Sequence, residues 1–204
     1  MSTMPSLDSY WKNFYSEKRF VHCPYDQLAS FVYRYAPRKP RGEVRIMEAG
    51  CGPANNLWFF AHEGFNVAGF DAEEAAIDHG RRRIASDGLE ADLRVAAFPE
   101  VPFASESFDL VMERAALSCV AFDVARETIA EIRRVLKPGG KFCFTPYTRH
   151  SAFDGFLEFY TPAKAEEILS VGWKILEMKQ ASFDDLRAGA NIYGELRVVA
   201  EKVE

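Results

Sequence analysis

The chain predicts an α/β fold, a mostly parallel sheet with helices on both faces. Three observations predict it. Strand and helix patterns alternate from Val44 to the end of the 204 residues. An apolar run, Ile46-Met47, ends on the acid Glu48 and leads into the turn Ala49-Gly50-Cys51-Gly52. A second run, Asn66 to Phe70, leads to Asp71, which lies 71 − 52 = 19 positions beyond the second glycine. Glycines at such a turn let the backbone approach a ligand closely, and an acid about 20 residues on accepts hydrogen bonds from a ribose. The pattern points to a nucleotide pocket.

The elements follow in order. Residues 1–40 are crowded with aromatics, and helical spacing suits Tyr10 to Ser16 and Asp26 to Tyr35. Pro37-Arg38-Lys39-Pro40-Arg41-Gly42 breaks both periodicities and reads as a linker. It separates an N-terminal helical segment, 1–40, from a domain over 41–204. In that domain Val44–Glu48 is a strand, Asn55–Glu63 a helix stopped by Gly64, and Asn66–Phe70 a strand. A helix over Glu73–Ser86 ends before Asp87-Gly88. Leu93–Ala96 and Phe108–Met112 are strands. Asp123 is placed to cap a helix running to Leu136, with Ile129, Ile132 and Val135 on one face. Lys137-Pro138-Gly139-Gly140 stops it, and Lys141–Thr145 is a strand. Thr161-Pro162 opens a helix to about Ser170. Trp173–Lys179 and Glu195–Lys202 are the last two strands, paired antiparallel, with Ala188 to Asn191 in their connection.

Composition narrows the function. A 48% hydrophobic content supports one buried core, and a net charge of −5 offers no basic footprint for nucleic acid or an acidic membrane. Cys23, Cys51, Cys119 and Cys143 form no metal or redox pattern and fit a reducing compartment. Met1 to Asp8 lacks a signal pattern, and no apolar run approaches a membrane span. The expected location is the cytoplasm, with no metal site.

Four segments in this order resemble the class I S-adenosylmethionine-dependent methyltransferases. Glu48-Ala49-Gly50-Cys51-Gly52 is similar to that family's E/D-x-G-x-G motif, and Asp71 to the acidic end of its second strand. Val101-Pro102-Phe103 through Ser107-Phe108-Asp109-Leu110-Val111 resembles its LPF…SFD-x-V segment. Arg133 through Leu136-Lys137-Pro138-Gly139-Gly140 resembles its R-x-LKPGG turn. The resemblance covers about residues 44–146. It implies a Rossmann-like seven-stranded sheet with the last strand antiparallel, beneath an N-terminal helical lid. It also implies S-adenosyl-L-methionine as donor and S-adenosyl-L-homocysteine as product.

The resemblance assigns roles. Glu48 would hold the methionine ammonium, or simply cap the turn. Ala49, Gly50, Cys51 and Gly52 would form the cofactor turn, with Cys51 packed beneath it. Asn55 or Asn56 would bond the methionine carboxylate at a helix N-terminus, or cap that helix. Arg19 would pair with the same carboxylate, or lie solvated. Asp71 would bind ribose, cap the helix from Glu73, or do both, with Ala72 beside it. Ala54 stands where many relatives carry a third glycine. Ala97 stands where many carry an acid for the adenine amino group, which leaves adenine to backbone groups and to stacking on Phe98.

Acceptor residues follow the same rim. Glu113 would serve as general base, orient the acceptor, or pair with Arg114. Tyr147, Arg149 and His150 follow the fifth strand, and His150 is a second candidate base. The aromatic N-terminus would be a helix packed over the sheet, a lid with Tyr10, Trp11 and Tyr15 lining the cavity and ring faces that suit a sulfonium, or both. His22 is a further acceptor-side candidate. His62, His79 and Arg81-Arg82-Arg83 read as surface. The expected partner is a small-molecule acceptor, with oligomeric state open. Two rivals stand beside this reading. A nicotinamide-dependent oxidoreductase would want glycine at position 55, where the chain has Asn55. A protein of the same fold that binds the donor without using it is the other.

Overall fold

One sheet organises the chain. Its strands are β1 (Arg45–Ala49), β2 (Asn66–Asp71), β3 (Asp92–Val95), β4 (Phe108–Arg114), β5 (Leu136–Thr145), β6 (Tyr147–His150), β7 (Trp173–Asp185) and β8 (Asn191–Lys202). The helices are α1 (Leu7–Ser16), α2 (Asp26–Tyr35), α3 (Asn55–His62), α4 (Glu74–Ser86), α5 (Phe122–Val135) and α6 (Pro162–Ile168). This computed structural model describes residues 7–16, 22–150, 157–185 and 191–204. From one edge the strands run β3-β2-β1-β4-β5-β8. The first five pair parallel, and β8 is antiparallel to β5, β6 and β7.

The predicted α/β sheet is present, and its final strands pair antiparallel as expected. An eighth strand is added. Tyr147–His150, which the sequence places after the fifth strand, continues β5 beyond Pro146 along the same edge of β8. Phe144 opposes Val198 and Tyr147 opposes Glu195 in one unbroken register. Proline has no amide to donate, yet the Pro146 carbonyl accepts from Leu196 N and keeps the ladder closed. The last two strands are also longer than predicted, because β7 and β8 pair with each other out to Asp185 and Asn191.

Strand alternation sends successive side chains to opposite faces. Val111, Phe142 and Phe144 enter one core with Ile129 and Ile132 of α5 and Ala165 of α6. Ile46, Leu110, Met112 and Cys143 enter the other, with Leu57 and Phe60 of α3 and Ile77 and Ile84 of α4. Burying a side chain such as Phe142 fully contributes about 1.5–3 kcal/mol. Leu28, Phe31 and Val32 of α2 lie in this second core, so that helix is part of the layer. The α5 cap differs from expectation. Ala121 is the N-cap, and Asp123 sits inside the first turn, where Oδ1 accepts from Val124 N. Thr161 does cap α6, accepting from Lys164 N, with Pro162 at the first helical position. No helix among the described residues is long and apolar enough to cross a membrane.

Candidate active site

Ala49 ends β1 between Phe70 of β2 and Glu113 of β4. The chain to the one side runs to β2 and β3, and to the other to β4 and β5, so the turn opens at the switch point where open α/β sheets bind ligands. Gly50 and Gly52 have φ of 65° and 51°, the left-handed region that glycine tolerates best. The turn is also closely covered. A methyl built on Gly50 would lie 2.3 Å from the Ala116 Cβ, and one on Gly52 2.8 Å from the Tyr15 hydroxyl. Asp71 locks the turn from below. Its Oδ2 accepts from Gly52 N at 2.8 Å and its Oδ1 from Glu73 N at 3.0 Å. Burial raises its pKa, and these amides oppose the rise. Asp71 thus fixes the glycine turn and the approach to α4 while still facing the cavity.

Ala54 takes the left-handed conformation too, with φ 59° and ψ 37°, and is fully buried. Its methyl fits because α4 yields space: a Cβ on Gly80 would lie 2.9 Å from it. Cys51 is buried against Gly69 of β2, and its thiol faces the Gly52 carbonyl. Burial and the nearby Asp71 push that thiol well up, so it is an inert packing group. Asn55 and Asn56 do not cap α3. Asn55 Oδ1 accepts from Arg83, whereas Asn56 donates to Glu48 Oε1 at 2.7 Å and accepts from Tyr25 N at 2.9 Å. Glu48 is 3% exposed, and its Oε2 has no hydrogen-bond partner. Burial carries its pKa up to about 8, against the Asn56 hydrogen bond.

A cavity of about 370 Å³ lies over these strand ends. Gly50, Asp71, Ala72, Ala97 and Phe98 wall one end of it. Phe98 stands edge-on to the buried Phe70, ring centroids 5.6 Å apart. Arg114, Ala115 and Tyr147 wall the other end, and Trp11 and Tyr15 of α1 close over the space between. The Trp11 indole also hydrogen-bonds the Cys119 thiol, itself on the wall.

Glu113 is not on that wall. It is fully buried, with Oε1 accepting from Thr145 N at 2.7 Å and Oε2 from Leu117 N at 3.2 Å. Burial still raises it to about 7, against those amides. With both oxygens engaged it ties the β4 turn to β5, and it is a strut rather than a free base. Its expected pairing with Arg114 is replaced. Arg114 turns toward Tyr147 and Tyr193, donating to their hydroxyls at 2.9 and 3.3 Å, and stands 3.9 Å from Glu195 of β8.

Other expected residues are dispersed. Tyr10 stacks within α1 on Phe14 and does not reach the cavity wall. His22 is exposed, its carbonyl accepting from Arg83. Arg149 is exposed on β6. The backbone of His150 pairs with Tyr193, its side chain lies outside the described residues, and so does Arg19. Arg83 is corrected from a solvated residue: it stacks 3.9 Å over Trp58 and joins α4 to Asn55 and His22. Arg114, Tyr25, Tyr193 and Glu195 were the site residues not singled out. The only signal for them was an arginine beside Glu113, because their meeting depends on β8 lying next to β5 and β6. Among the described residues no group of three or more His, Cys, Asp or Glu is placed to hold a metal.

Comparisons with known proteins agree with this architecture. Residues 46–140 match a family described as a methyltransferase domain. An uncharacterised methyltransferase of Bacillus subtilis, YodH, is 32% identical over 101 residues, 50% of this chain and 42% of that protein. A malonyl-[acyl-carrier protein] O-methyltransferase of Enterobacter lignolyticus is 31% identical over 103 residues, 50% of this chain and 38% of the relative. The matches therefore span about two fifths of those relatives' length. A solved SAM-dependent methyltransferase of Methanosarcina mazei superposes with a TM-score of 0.72 at 20% identity, over 89% of this chain and 99% of that one. The [4+2]-cyclase SpnF superposes at 0.76 and 16% identity, over 98% and 97%, so the fold alone does not fix the reaction. The domain match over residues 46–140, these relatives and the fold support a class I S-adenosylmethionine-dependent methyltransferase.

Proposed function

We propose that this chain transfers a methyl group from S-adenosylmethionine to a small-molecule acceptor. One observation carries the reading: Asp71, fixed by the amides of Gly52 and Glu73, faces a cavity that begins at the glycine turn. A carboxylate oxygen keeps lone pairs beyond one amide bond, so Asp71 can still accept from both ribose hydroxyls. Ala97 and Phe98 offer an apolar seat for adenine. Glu48 Oε2, buried and without a partner, suits the donor's ammonium, since an unmet buried acceptor is costly. Tyr15 covers Gly52, so α1 has to move for the amino-acid end to reach Glu48.

The donor supplies an activated methyl on a sulfonium, and the chain has only to align and desolvate. Trp11 and Tyr15 exclude water, and Tyr147 and Arg114 face the acceptor's side. A second reading, donor binding without methyl transfer, has one observation in its favour: Glu113, the nearest acid on β4, is fully hydrogen-bonded. Calorimetry against S-adenosylmethionine, S-adenosylhomocysteine and NAD tests the proposal. Both sulfur compounds are expected to bind, and Asp71→Ala to weaken them at least about tenfold, which is 1.4 kcal/mol. Binding of NAD alone would overturn it. A broad acceptor screen that never forms S-adenosylhomocysteine favours the second reading.

A further inference from the structure

The far end of the cavity holds a charge that the donor reading does not use. Arg114 closes β4 on the cavity wall, and its side chain is only 13% exposed. Its guanidinium lies 4.3 Å over the Tyr25 ring, with the Tyr147 and Tyr193 rings at 5.5 and 5.7 Å. A guanidinium carries five N–H donors in a planar fork. Two meet tyrosine hydroxyls, and Nε is buried without a partner. Its nearest counter-ion is poorly matched. Glu195 is fully buried, its Oε1 is taken by Arg197 at 2.8 Å, and its Oε2 stands 3.9 Å from Arg114 with no hydrogen bond. Two arginines thus share one carboxylate. Glu48 and Glu113 also feel Arg114, but their hydrogen bonds go to Asn56 and to backbone amides.

A buried cation with unspent donors on a cavity wall is an anion receptor, and the fork geometry of arginine fits a carboxylate. The lining of the same cavity includes the apolar Val120 and Leu157. We infer that Arg114, steadied by Tyr147 and Tyr193, recognises a carboxylate on an acceptor with an apolar body. The carboxylate anchors the acceptor and need not be the atom methylated. The acceptor is favoured over the donor's own carboxylate because Arg114 ends β4, across β1 from Asp71, and is bonded to Tyr147 of β6 and Tyr193 of β8. This inference rests on the donor reading above.

The test uses the whole chain saturated with S-adenosylhomocysteine. Benzoate, cinnamate and octanoate are each compared with the matching primary amide by calorimetry. At least one acid is expected to bind about tenfold or more tightly than its amide, the usual scale of charge-assisted hydrogen bonds. Arg114→Gln should bring that ratio within about threefold, and Arg114→Lys should leave it between, since it keeps charge but loses the fork. S-adenosylhomocysteine binding should hold within about threefold in both. No acid exceeding its amide, or a preference that survives Arg114→Gln, overturns the inference. So does a folded Arg114→Gln that loses S-adenosylhomocysteine as Asp71→Ala does. Should Arg114→Gln fail to fold, the wild-type ratios and Arg114→Lys decide. Failure of the wild type to bind S-adenosylhomocysteine sinks the donor reading instead, and is seen before any acid is added.

Discussion

The two ends of the cavity are built differently. The Asp71 end is made of backbone: two left-handed glycines, the amides of Gly52 and Glu73, and one carboxylate that they hold. These parts come from β1, β2 and the turns that follow them, and Ala97 and Phe98 after β3 complete the wall. The Arg114 end is made of side chains. Arg114, Tyr25, Tyr147 and the β8 pair Tyr193 and Glu195 arrive from four separated stretches, and the last three meet Arg114 because β8 lies beside β5 and β6. A backbone-made site tolerates little change in shape, and a side-chain site is re-cut by single substitutions. The Asp71 end is thus fixed by geometry, while the Arg114 end is open to re-cutting.

Gly50→Ala should break the first end most severely. The left-handed turn adds about 1–2 kcal/mol for a side chain, and the overlap with Ala116 at 2.3 Å adds about 1–3 kcal/mol. Thermal unfolding should drop accordingly, and S-adenosylhomocysteine binding should vanish in calorimetry. A variant of unchanged stability and affinity would mean the turn is not the constraint described.

Glu48 sharpens the contrast through pH. Its carboxyl rises from an ordinary 4.5 to about 8 on burial. A raised folded pKa on an acid means that its favourable contribution is complete below the unfolded value and is lost as pH climbs toward the folded one. At about 1.4 kcal/mol per unit, that loss is on the order of 5 kcal/mol. Glu113, raised to about 7, adds in the same direction. Urea unfolding of Glu48→Gln should therefore show a shallower fall in stability between pH 5 and 8 than wild type. Parallel curves would count against a buried, protonated Glu48.

Glu113→Gln gives the smallest expected effect and separates strut from base. An amide in place of the carboxylate turns one donor toward a backbone N–H, which costs about 1–2 kcal/mol of stability. With an acceptor found by the screen, turnover should stay within about fivefold. A loss of 10²–10⁴, the scale of general-base removal, would return Glu113 to a catalytic role.

The same contrast explains what could be read from the chain. The strand-helix order and the Asp71 pocket were legible because periodicity and turn glycines are local signals. The β6 strand was not, since Pro146 looks like a stop and its pairing with β8 lies far along the chain. Asn55 and Asn56 resembled helix caps, yet the helix starts from a left-handed Ala54, which leaves both amides free for Arg83, Glu48 and Tyr25. Glu113 had the right position for a base, and only the positions of the Thr145 and Leu117 amides show that its oxygens are already occupied. Arg114 sat in plain view beside it, but its partners come from α2's approach, β6 and β8.

The meeting of Ala54 with Gly80 has a practical meaning for anyone moving this glycine turn to another scaffold. The Glu48–Gly52 peptide is not a self-sufficient part. Its turn continues into a methyl that needs a notch in α4, and Arg83 of that same helix clasps the first residue of α3. The smallest transplantable unit is β1, α3, β2 and α4 together, and a graft that brings the loop without the helix would carry a bump with no hollow to receive it.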